Sequence, residues 1–321
     1  MAKRIPRQSN ISGAKEKDLH NLRHSYAHVL AAAVLELFPD AKFGVGPVIE
    51  NGFFYDFQLP RALTPSDLPK LEKRMKQIIA QRREFKRQEL SFADTKMFFK
   101  NKQQPFKVEL VDDLEKKGTT YAGEGEEVGA DNVTNEALEA GKVTIYSIGT
   151  FDDLCRGGHV QNTGDLNAEA FRLNKISGAY WRADQKNAQL QRVYGIAFTS
   201  KQELEEHQKL LEEAAKRDHR KIGQQLELFL FHETAPGMPY WLPNGMIMYN
   251  ELVRFWREEH SARGYHEIVS PLLNKKELYV QSGHFAHYWK NMFVANMGKE
   301  EEYGVKAMNC PNAMIVFGCK P

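Results

Sequence analysis

Cysteine is scarce in this sequence, three in 321 residues, and only Cys310 and Cys319 stand near one another. An odd and scattered set gives no disulfide framework, and a chain this long needs none to build a core, so a reducing, cytoplasmic setting is expected. Long apolar runs are lacking as well. The longest, Tyr26 to Phe38, is broken by His28 and Glu36 and is shorter than the roughly 18 residues of a membrane span, so no membrane partner is expected. The basic first residues, Met1 to Gln8, have no apolar segment behind them, which argues against a secretory signal. Net charge is nearly absent: 44 Lys and Arg against 42 Asp and Glu leave +2, unlike a protein that coats nucleic acid with its whole surface. The sum hides two opposed blocks. Residues 70–102 hold eleven Lys or Arg against four acids, net +7, whereas residues 109–139 hold ten acids against two lysines, net −8. The basic block is a candidate phosphate-facing surface, with a solvated helix face as the alternative reading.

What is present suits about two globular domains, since 42% of residues are hydrophobic and 11% aromatic. Residues 1–21 carry scattered charge without apolar periodicity and read as a mobile basic tail. From Leu22, apolar residues recur at helical spacing through Tyr26, Val29, Leu30, Ala33, Val34 and Leu37, and Pro39-Asp40 stops them. Phe43 to Leu59 reads as a hairpin turning at Asn51-Gly52. Ser66-Asp67 caps a helix expected to reach about Phe85, and a shorter helix follows near Ala93 to Asn101. Gly118 to Gly141 reads as acidic loops, Val143 to Ile148 as a strand, and Phe171 to Phe198 as a hairpin-like pair. Residues 200–223 read as one charged linker helix, and 224–321 as the start of a second domain with a strand over Tyr265 to Leu273. The expected fold class is α+β.

His24 and His28 stand four apart on the first helix, so their rings project from one face. Cys155 and His159 repeat the spacing inside Asp153-Leu154-Cys155-Arg156-Gly157-Gly158-His159. Three imidazoles and a thiol match either a tetrahedral zinc site or the acid–base groups of a hydrolytic pocket. A lone His-x-x-x-His is weak evidence, and the two halves together are far more specific. Asp153 could orient an imidazole or bind an ammonium group, and Tyr55 could offer a hydroxyl to the pocket. Cys310, in Met308-Asn309-Cys310-Pro311, is either a thiolate ligand or a small apolar residue.

These residues resemble the middle portion of the threonyl-tRNA synthetase family, class II aminoacyl-tRNA synthetases. The resemblance runs from about Leu22 to Pro321 and is carried by His24-Ser25-Tyr26-Ala27-His28, Gly46 to Asp56, Asp153 to His159, Ser177 to Arg182 and Glu212 to Gly223. It implies that residues 22–199 form an editing domain of antiparallel strands around a long helix, hydrolysing seryl-tRNA(Thr) with His24, His28, Tyr55, Asp153, Cys155 and His159. In the related alanyl enzymes the same His/Cys halves can hold zinc. It implies further that Gly264 to Leu273 is motif 1, the strand of a homodimer interface, and that Cys310 is one of three zinc ligands, the other two lying downstream. The full-length family charges tRNA(Thr) with threonine using ATP and Mg2+. The sequence stops before the family's motifs 2 and 3, so editing is the activity expected of this stretch. Two departures stand out: Gly158 occupies a position where proline is usual, and the family's editing-site lysine has Lys116, Lys117 and Lys142 as candidates. The alternative readings are a freestanding zinc-dependent deacylase and a non-catalytic tRNA-binding or dimerisation module.

Overall fold

The structure, a computed structural model, describes residues 13–118, 141–296 and 301–319. It divides into two units, Met1–Lys216 and Arg217–Pro321. Residues 1–12 of the expected tail and 119–140 of the expected acidic loops lie outside the described residues.

Unit 1 is organised by α1 (Gly13–Leu37). The helix starts well before Leu22, correcting the mobile tail over 13–21, because Ala14, Lys15, Glu16, Lys17 and Leu19 favour helix by intrinsic propensity where apolar periodicity is silent. Every residue from Ser25 to Val34 is buried, as in a helix enclosed on all sides rather than laid on a surface. Its neighbours include α2 (Leu68–Ala80) and a five-stranded antiparallel sheet. In that sheet, β1 (Lys42–Phe43) and β2 (Val48–Ile49) pair with one side of β3 (Gly52–Gln58), and β8 (Gln189–Ala197) and β7 (Phe171–Tyr180) follow on the other. Tyr26, Leu30 and Val34 of α1 join Phe53, Tyr55 and Phe57 of β3, Leu71, Met75 and Ile78 of α2, and Val193 of β8 in one core. Ile49 pairs with Gly52, so the hairpin turns at Glu50-Asn51 and not at Asn51-Gly52. Gly52 serves close approach instead: a Cβ there would lie 1.9 Å from the Gly195 carbonyl oxygen of β8.

A second sheet has the order β4 (Lys86–Ser91), β5 (Lys142–Ile148), β6 (Phe151–Leu154). The expected long helix after Asp67 ends at Ala80, and Arg82 at φ 52° turns the chain toward β4. That strand is mostly exposed and lacks apolar alternation, so its pairing with β5, and not its sequence pattern, makes it a strand. Ser91 accepts from the Asp94 amide at 3.1 Å and caps α3 (Phe92–Asn101). The first part of the acidic block, from Glu109, lies in α4 (Pro105–Lys117), begun by a proline that lacks only a dispensable donor. It buries Phe106, Leu110, Val111 and Leu114. The linker is not one helix. α5 (Lys201–Lys216) ends in unit 1, and α6 (His219–Gln225) starts afresh in unit 2 with the Asp218 side chain accepting from the Arg220 amide at 2.9 Å.

Unit 2 contains the hairpin β9 (Phe229–Phe231) and β10 (Pro239–Trp241), α7 (Pro243–Ser261), and a small antiparallel sheet. That sheet has the order β11 (Leu273–Lys275), β13 (Glu302–Val305), β12 (Val294–Asn296). α8 (Lys276–Gln281), α9 (His284–Tyr288) and α10 (Cys310–Gly318) complete the described part. The strand expected over Tyr265 to Leu273 shrinks to β11, because residues 265–272 find no ladder partner among the described residues. Val269 is 93% and Leu272 70% exposed there. Both units mix helices with antiparallel strands, an α+β architecture. Among the described residues no helix is long and apolar enough to cross a membrane.

Candidate active site

Two segments of unit 1 bring four side chains into one cluster. α1 carries His24 and His28, whose ring centroids are 4.9 Å apart, and the loop after β6 brings the His159 ring to 4.2 Å from His24 and 4.3 Å from His28. The Cys155 Sγ is 3.5 Å from His24 Nε2 and 3.2 Å from His159 Nε2. Ligand atoms of all four residues lie within 4.8 Å of one another. The loop can make this approach because Gly157 and Gly158 take φ of 104° and 79°, values open to glycine and costly for other residues. A Cβ on Gly158 would lie 2.9 Å from Asn21 Oδ1 of α1. Proline, with φ locked near −65°, could not follow this path. Phe85 stacks on the His159 ring at 4.7 Å and 13°, and Tyr146 lies 4.9 Å from it on another side.

Behind the half-buried His24, Cys155 and His159 sits a buried polar layer. Asp153, on β6, accepts a hydrogen bond from the Tyr55 hydroxyl at 2.6 Å through Oδ2, and the same oxygen lies 3.5 Å from His28 Nε2. Its Oδ1 is paired with the ammonium of Lys107, which also donates to the Gly44 carbonyl at 2.7 Å and the Tyr55 oxygen at 3.1 Å. Three N–H donors thus meet three acceptors, leaving the cation fully used. Lys107, in the first turn of α4, lies beside the cluster; of the three lysines the sequence offered, Lys116 and Lys142 are exposed and the Lys117 side chain lies outside the described residues. Pro105 as a helix opener, followed by Leu110 and Leu114 at helical spacing, was the signal that could have found Lys107. Tyr55 itself is fully buried, its hydroxyl committed to Asp153.

Burial sets the protonation states. It holds His28 well below the ordinary histidine value, reinforced by the neighbouring His24 and the Lys107 charge, and holds His159 far down as well, with His28 and His24 adding to the effect. Burial and the Asp153 carboxylate push the Tyr55 hydroxyl well above its usual range. Both His28 and His159 are therefore neutral at physiological pH. The buried His28 Nδ1 has no hydrogen-bond partner among the described residues, consistent with an Nε2–H facing Asp153 and a bare Nδ1.

An orphaned imidazole nitrogen within a three-imidazole, one-thiol donor set is the chemistry zinc takes, so the residues present fit that ion. Cys310 differs. It opens α10 and is exposed, and among the described residues no group of three or more candidate ligands includes it.

Residues 143–194, which contain β6, the Cys/His loop and all but the first residue of β5, match the family model of the threonyl and alanyl tRNA synthetase second additional domain. A threonine–tRNA ligase of Dehalococcoides mccartyi is 44% identical over 318 residues, covering 99% of this chain and 49% of that protein. The chain belongs to the threonyl-tRNA synthetase family. Threonine–tRNA ligase 2 of Bacillus subtilis is 44% identical over 94% of the chain and 43% of its own length, and the Thermotoga neapolitana enzyme is 46% identical over 92% and 42%. The chain thus spans somewhat under half the length of these synthetase relatives. A solved RNA-binding domain of threonyl-tRNA synthetase from Cryptosporidium parvum Iowa II aligns at 40% identity over 32% of this chain and 26% of that one, with a TM-score of 0.31.

Proposed function

We propose that unit 1 hydrolyses the ester of a seryl group wrongly attached to tRNA(Thr). The observation that carries this reading is the layered cluster: accessible His24, Cys155 and His159 in front, with neutral His28 held against a buried Asp153–Lys107–Tyr55 set behind. Ester hydrolysis needs a water placed against the carbonyl and a neutral base to take its proton. A water among His24, Cys155 and His159 gives its proton to an imidazole as its oxygen bonds to the carbonyl carbon. The same proton passes to the 3′ oxygen as the ester bond breaks, releasing serine and a free tRNA end. Asp153, tied down by Lys107 and Tyr55, faces His28 Nε2 and keeps that ring from rotating.

The editing reading also has a thermodynamic motive. A synthetic pocket tells threonine from serine by a methyl group worth only about 1–3 kcal/mol, so a second pocket too tight for threonine adds discrimination that the first cannot supply. The test is deacylation of Ser-tRNA(Thr) against Thr-tRNA(Thr). Hydrolysis of the seryl ester alone, lost in the His24→Ala, Cys155→Ala double variant, supports the proposal; equal rates for wild type and double variant refute it.

The donor set favours a second reading in which His24, His28, Cys155 and His159 hold zinc. The ion when bound would polarise the water or carbonyl. Stoichiometric zinc, with deacylation abolished by chelation and restored by zinc, selects this form. For the family's wider activity, we propose that the chain acts in the cytoplasm as part of the threonine-charging system with ATP and Mg2+, and that residues 264–273 pair with a second copy. Sedimentation of the chain with and without Val269→Asp checks the pairing.

A further inference from the structure

Ser25 lies on α1 between the two histidines and is fully buried. Its Oγ is 2.7 Å from the Asn21 carbonyl oxygen, 3.0 Å from the Val160 amide nitrogen and 3.4 Å from His159 Nδ1. A hydroxyl has one proton and two lone pairs. The Asn21 carbonyl can only accept and the Val160 amide can only donate. The proton therefore lies along the shortest contact, to Asn21, and Val160 takes one lone pair. His159 Nδ1 must then donate to the other. A neutral imidazole has a single N–H, so His159 Nε2 is left bare, and that is the nitrogen 3.2 Å from Cys155 Sγ.

We infer that Ser25 is a positioning residue that fixes His159 as its Nδ1–H tautomer and so presents the Nε2 lone pair to the site. The partner of one ring nitrogen decides the proton on the other. Two features hold this arrangement. Gly158, with no Cβ to strike Asn21, lets the loop run close enough to α1 for the Val160 amide to reach Ser25. Phe85, stacked on the imidazole, limits ring rotation. The Ser25-to-Asn21 bond taken alone is the ordinary way a serine satisfies itself inside a helix. The two contacts from residues 159 and 160 turn it into a tie between α1 and the catalytic loop.

The activity part of this inference rests on the hydrolytic reading; the tautomer part does not. The experiment is long-range 1H–15N correlation of the full chain labelled with 15N-histidine at neutral pH, with His159 assigned by its loss in His159→Gln. The expected wild-type pattern has Nδ1 protonated and Nε2 bare. Ser25→Ala shifts the pattern toward Nε2–H and lowers the turnover of Ser-tRNA(Thr) deacylation about 10–100-fold, the usual cost of losing a partner behind a functional histidine. Ser25→Thr, which keeps the hydroxyl, retains the wild-type pattern. An Nε2–H pattern in wild type, or an unchanged pattern in a folded Ser25→Ala variant, overturns the inference. Should Ser25→Ala fail to fold, the wild-type and Ser25→Thr spectra decide it by themselves. A tautomer shift in a protein that deacylates nothing would uphold Ser25 and refute the hydrolytic reading.

Discussion

Lys107 offers the sharpest test of the buried layer. Its side chain and that of Asp153 are 2% and 4% exposed, so Lys107→Met strands a carboxylate left with only the Tyr55 hydroxyl at 2.6 Å and the more distant His28 Nε2 at 3.5 Å. Removing one member of a buried pair costs about 3–5 kcal/mol, mostly the penalty of the abandoned charge. The Gly44 carbonyl also loses its 2.7 Å donor, which places the expected loss toward the upper end. Adding Asp153→Asn removes that stranded charge. The double variant should therefore be more stable than the sum of the two single losses by about 2 kcal/mol, within the range for neighbouring residues. Urea unfolding of the full chain, with hydrogen exchange at β3 and β5 amides reporting unit 1 specifically, measures all four species. Strict additivity, or a loss below about 1 kcal/mol for Lys107→Met, would refute the account of a pair held together by mutual need.

Three further outcomes follow from the same geometry. His28 and His159 stay neutral when folded but bind a proton below about pH 6.5 when unfolded, so unfolding takes up protons on acidification and stability falls by about 1.4 kcal/mol per pH unit for each; urea midpoints that stay flat or rise from about pH 6.5 to 5 would contradict this. Gly158→Ala should cost about 1–2 kcal/mol for its left-handed backbone, plus a push against Asn21, and should slow deacylation; unchanged stability and rate would show that the loop takes another path. Tyr55→Phe deletes a hydrogen bond to a charged acceptor worth about 1.5–3 kcal/mol, and a denaturation midpoint equal to wild type would place the hydroxyl elsewhere.

The His/Cys half of the site was legible because its chemistry lies in residue type and spacing. His24 and His28 at four residues, and Cys155 and His159 at four, announce convergence before any fold is known. Lys107 was hidden for a physical reason: a buried charge is recognisable only by its partners, and Asp153 and Tyr55 are brought to it by other elements. The same blindness covered β4, whose Lys86 to Ser91 run has polar residues on both faces and becomes a strand only through β5. α1 was legible where packing imposes periodicity and misjudged before Leu22, where propensity alone extends it. The broken linker turned on one side chain, Asp218, which reads equally well as another charge on a continuous helix or as a cap that starts a new one.

The separation in sequence of the site's parts has a consequence for how the protein is made. Cys155 meets His24 across 131 residues, and His159 meets Ser25 across 134, whereas α1 is closed by contacts four residues apart. Local contacts form early and distant ones late. In refolding, the far-ultraviolet signal of the helix should therefore develop ahead of any probe on Cys155, such as the slowing of thiol alkylation, and the chain should pass through a stage that is helical but still chemically idle.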